Sequence, residues 1–133
     1  MRPLRITLVT VGVFQLVLGA SFLVAPSGAA ALLGLRPAAP GWANWLFAMM
    51  AVRFLGYAYG MLAAARDPLR HTAWIDVMIV IQAADWLATL GHLAAGDVGL
   101  RQVSTAAFMP VVFVAALLWF HPRRVRAAAE QTK

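Results

Sequence analysis

Four polar side chains in this 133-residue chain stand in otherwise apolar surroundings: Gln15, Arg53, Gln82 and Asp85. Arg53 is the only charge between residues 42 and 65, and Asp85 shares the stretch 72–95 with one other acid, Asp76. On a helix rising 1.5 Å per residue, Arg53 lies about 18 Å from Ala65 and Asp85 about 20 Å from Thr72. Gln15 lies about 14 Å from Ile6, so all three reach one depth, and Gln82 sits one turn from Asp85. A charge alone at the centre of a bilayer costs ~2.5–3.5 kcal/mol on the insertion scale. An arginine and an aspartate at matched depth on consecutive helices are therefore expected to pair. The chemistry open to such a layer is ligand clamping or proton transfer, with Tyr57 and Trp86 able to flank a pocket.

Spacing assigns the faces. Arg53, Gly56, Tyr57 and Gly60 follow i, i+3, i+4, i+7, and Gly56 with Gly60 makes a GxxxG step at which a second backbone can approach. Met78, Gln82, Asp85, Thr89 and His92 form a second stripe whose outer members, Thr89 and His92, could extend a relay from Asp85. Gly12, Gln15 and Gly19 line up on a third face. The layer reads in two ways, as interhelical glue that fixes register or as a ligand or proton site, and spacing alone leaves both open.

Other chemistries lack their residues. The chain has no cysteine, which removes thiolate catalysis, iron–sulfur clusters and disulfides. His92 and His121 fall at opposite ends of their spans, and Asp85 and His92 are about 10.5 Å apart along one axis, so no metal or haem site is expected. No phosphate-binding glycine loop or nucleophile elbow occurs, and no catalytic residue or cofactor is assigned. Asp76, one turn into its helix, is expected to balance Arg66 or Arg70.

The elements that carry these residues are legible from composition. Apolar residues make up 62% of the chain and charged residues 12%, against roughly 45–50% and about 25% in soluble domains. Charge-poor runs at 6–25, 42–65, 72–95 and 103–120 each suffice to cross about 30 Å of hydrocarbon. The breaks are Pro26-Ser27-Gly28 with Arg36-Pro37 and Pro40-Gly41, then Arg66-Asp67-Pro68, then Gly96-Asp97-Val98-Gly99. Residues 27–35 are apolar but too short to cross, and are expected to lie along the outer interface as one or two helical turns. Pro110 predicts a kink in the last span.

The fold expected is all-α, a single domain of four transmembrane helices in an antiparallel bundle. Eight cations (Arg2, Arg5, Arg66, Arg70, Arg123, Arg124, Arg126 and Lys133) fall on one side and two (Arg36 and Arg101) on the other. That bias puts both termini in the cytoplasm of a multi-pass protein of the inner (cytoplasmic) membrane. A cleaved signal peptide ending near Ser27-Gly28-Ala29 is the competing expectation for the first span. The net charge of +6 comes from short flanks of apolar spans, which points to membrane lipid, with anionic lipid at Arg123, Arg124 and Arg126, and not to nucleic acid.

Leu16-x-x-Gly19-x-x-Phe22-Leu23-x-x-Pro26, Leu32-Leu33-Gly34-Leu35, Arg53 with Gly56, and Ala65-Arg66-Asp67-Pro68 together resemble the small bacterial four-helix membrane proteins of the DoxX-like group. The resemblance spans most of the chain and implies a compact four-helix bundle, some relatives serving as accessory parts of membrane redox systems. It transfers no catalytic residue. The function expected first is an accessory or scaffold subunit packing against itself, as a homo-oligomer, or within a larger membrane complex. The alternative is a site for a lipophilic, quinone-like small molecule, or a proton relay, centred on Arg53 and Asp85.

Overall fold

The computed structural model describes residues 1–35 and 40–124. Arg36-Pro37, Arg126 and Lys133, named above, lie outside the described residues. Among the described residues five helices form: α1 (Arg2–Val24), α2 (Pro26–Leu32), α3 (Ala43–Arg66), α4 (Thr72–Ala95) and α5 (Ser104–Trp119). Four segments are long and apolar enough to cross a membrane, the last running from Ser104 to Arg124. The expected spans and the observed helices differ by a few residues at their ends, chiefly because α1 begins at Arg2, with Pro3 in its first turn where a missing N–H costs nothing.

Local chemistry sets the breaks. α1 stops at Ala25 because Pro26 disfavours the helical conformation in the residue before it, and Pro26 then opens the seven-residue α2. Gly96 ends α4 with φ of 80° in the left-handed region, and its N–H bonds to the Leu93 carbonyl. α5 runs through Pro110 as one helix.

The helices do not share their packing evenly. α1 packs most extensively against α3, and α4 against α5, while α3 and α4, neighbours in sequence, touch little. One core joins the start of α1 (Leu4, Leu8, Val11), the end of α3 (Met61, Ala64, Ala65), the start of α4 (Ile75, Met78) and the end of α5 (Phe113, Leu117). We call this the packed end. The second core, Phe22, Ala29, Ala30 and Ala51 with Leu18, Phe47 and Phe54 against them, draws only on α1, α2 and α3. The buried residues of α4 stop at Gln82, so its second half stands away from α3 while remaining beside α5. That separation opens a cleft between α3 and α4 at the end opposite the packed one.

Glycines fix the tight contact. A Cβ on Gly19 would lie 3.0 Å from the Ala51 carbonyl oxygen, and one on Gly12 3.1 Å from Leu62, so both let α1 close on α3. The GxxxG expectation is corrected. Gly56 faces open space, and Gly60 makes room for the Trp74 indole, which a Cβ there would overlap. A ring, not a backbone, fills that place.

Candidate functional site

Two adjoining hollows occupy the cleft end. The inner one, about 250 Å³, is lined by Phe14, Leu18, Phe54, Met109, Pro110 and other apolar side chains, with Gln15, Gln82, Asp85, Gln102 and Thr105 as its polar members. The outer groove, about 460 Å³, is lined by Arg53, Tyr57, Asp85, Thr89 and His92, with Met50, Phe54, Val103 and Ala106 among its apolar walls. Asp85 borders both.

The helical spacing read from the sequence does deliver the polar stripe of α4 to one wall. Met78 and Gln82 end it inside the bundle, while Asp85, Thr89 and His92 line the groove. The Thr89 hydroxyl donates to the Asp85 carbonyl oxygen at 2.8 Å, so toward the groove it offers lone pairs. His92 Nδ1 lies 2.7 Å from Asp97 Oδ2, and both side chains are well exposed at the outer mouth. Arg53 and Tyr57 face these residues from α3, but Arg53 is exposed and does not look into the bundle interior.

The expected Arg53–Asp85 ion pair is not formed among the described residues. Matched depth brings the two to one groove, and the spread of α3 from α4 keeps them on opposite walls of it. Gln15 is 4% exposed and its Oε1 has no hydrogen-bond partner among the described residues. A buried amide oxygen left unpaired costs ~1–3 kcal/mol, which makes it an anomaly that needs a reason.

Asp76 is also corrected. It reaches across to the end of α5, where Oδ1 lies 3.0 Å from His121 Nε2 and Oδ2 accepts from Arg123 Nη2 at 2.8 Å, in place of Arg66 or Arg70. Arg123 is thereby engaged, and Arg124 lies over the Trp119 ring at 5.7 Å from its centroid, so two of the cations expected to meet anionic lipid have protein partners. Sequence reading did not find this cluster, because its members stand 45 and 47 residues apart. The available signal was His121 and Arg123 standing together at the end of the last apolar run. Trp86 donates from Nε1 to the Ala107 carbonyl oxygen at 3.0 Å and ties α4 to α5.

No group of three or more metal-ligating side chains converges among the described residues. What the arrangement can do is accept an apolar body in the inner hollow and meet its polar end with Gln15, Gln82, Asp85 and Arg53. Comparison with protein-family models, with curated proteins and with solved structures found no match for this chain.

Proposed function

We propose that this protein is a bacterial inner-membrane receptor for a lipophilic small molecule. Its apolar body lies in the inner hollow and its small polar head lies between Arg53 and Asp85. The observation that carries the reading is the set of polar side chains gathered around one apolar-lined hollow with the Gln15 oxygen unpaired. Interhelical glue would bond these groups to each other, whereas among the described residues no hydrogen bond links the side chains of Gln15, Gln82, Asp85 and Arg53, which supports a ligand site. Depth restricts the head. Arg53 stands ten residues after the start of α3, and Asp85 ten before the end of α4. A phospholipid headgroup stays at the interface, whereas a compact neutral head such as a quinone-like ring can reach that level.

In the same proposal the four spans form an antiparallel bundle with both termini in the cytoplasm, the packed end facing inward and the cleft outward. The DoxX-like resemblance accords with such a bundle.

Native mass spectrometry of the purified protein tests the reading. A lipophile other than phospholipid should be retained one to one, and Ala106→Phe, which fills space bordering both hollows, should lose it. Recovery of only bilayer phospholipid or of partner subunits, with Ala106→Phe indistinguishable from the parent, would instead favour the accessory-subunit reading and end this one.

A further inference from the structure

Asp85 is the one acid that borders both hollows, and the two ways out of it are unlike. Toward the 96–103 loop it shares a groove with Thr89 and His92, and His92 meets Asp97 at the mouth. Toward the termini the way is closed. Below Gln82 the bundle is filled by Met78, Ile75, Met61, Val11 and Leu8, each 1% exposed or less. The next acid along α4, Asp76, is nine residues or about 13.5 Å away, and it is held by His121 and Arg123.

We infer that Asp85 exchanges its proton with one side of the membrane only, the side of the 96–103 loop, through water in the groove lined by Thr89 and His92. The step is a simple acid–base transfer. A proton leaves an Asp85 carboxyl oxygen for a groove water, which gives up its own proton toward the neutral nitrogen of His92 or to bulk water at the mouth. The electron pair stays on the carboxylate. The ionisable groups facing this route are Arg53 and Tyr57 from α3, His92 from α4, and Asp97 from the loop beyond it; the lining contributed by α5 and the residue before it, Val103 and Ala106, carries none. Arg53 stands on the opposite wall of the same groove and forms no ion pair among the described residues. Thr89 orients water in the groove, since its own proton is committed to the Asp85 carbonyl oxygen. The inference goes beyond ligand binding and requires no ligand to be present.

The chain has no native cysteine, so single cysteines report on the route without background. In sealed membranes, a membrane-impermeant thiosulfonate should label Ala88→Cys and Thr89→Cys from the face of the 96–103 loop and not from the face of the termini. Met78→Cys in the packed core and Val80→Cys on the outer surface should resist it from both. Infrared spectra of sealed, oriented proteoliposomes then read the proton itself. A carboxyl band absent from Asp85→Asn should respond to a pH step on the loop side alone, and His92→Ala should slow that response. Labelling from the terminal face, absence of labelling at both Ala88→Cys and Thr89→Cys, or an Asp85 band that ignores the loop-side step would each overturn the inference. A one-sided band in a protein that retains no lipophile would uphold it while removing the receptor proposal.

Discussion

Gly60 and Gly56 occupy equivalent places in a GxxxG step, yet the Trp74 ring fills the space beside one and nothing stands beside the other. Gly60→Ala should therefore destabilise the bundle by ~1–3 kcal/mol through overpacking. Gly56→Ala should be neutral or stabilising by up to ~1 kcal/mol, because alanine is the better helix former. Chemical denaturation in mixed micelles measures both. Spacing could not tell the two apart, since it fixes the face and not what stands opposite. The same limit explains Arg53 and Asp85. Depth follows from counting residues, and it did place both on one groove, but the gap between two helices has no sequence signal. With no ion pair formed, a double-mutant cycle of Arg53→Gln and Asp85→Asn should give a coupling energy within ~0.5 kcal/mol of zero. A coupling of several kcal/mol would mean that the cleft closes and the pair forms.

At the scale of elements, four membrane-crossing helices and the short α2 were legible because apolar runs and proline breaks act locally. Which helix packs on which was less so. Gly12 and Gly19 announced a close neighbour for α1 without naming α3, and Asp76 found its partners beyond α5 because the returning helix brings His121 and Arg123 back to it. The α4–α5 pair rests in part on the Trp86 indole donating to the Ala107 carbonyl oxygen. Trp86→Phe keeps most of the ring and removes the donor, and should cost about 0.6 kcal/mol, the average for such bonds between membrane helices. The same denaturation measurement, with Trp119→Phe as the exposed control, checks it.

For the molecule as a whole, the charge bias sets a direction that the packed and open ends then share. A reporter fused after Lys133 should be active only in its cytoplasmic form, and a periplasmic reporter active there would invert the proposed topology. The pairing of α1 with α3, across the short α2, also gives the molecule an order in time. The first half can settle its own apolar core as soon as Arg66 has left the ribosome, whereas the inner hollow has only the wall of Phe14, Leu18 and Phe54 until the second half arrives with Asp85, Met109 and Pro110. The hollow is thus the last thing to be made during biogenesis. If the receptor proposal holds, a lipophile present in the membrane at that moment is enclosed as the final helices dock, and the yield of folded protein should rise and fall with the supply of that lipophile in the growing cell.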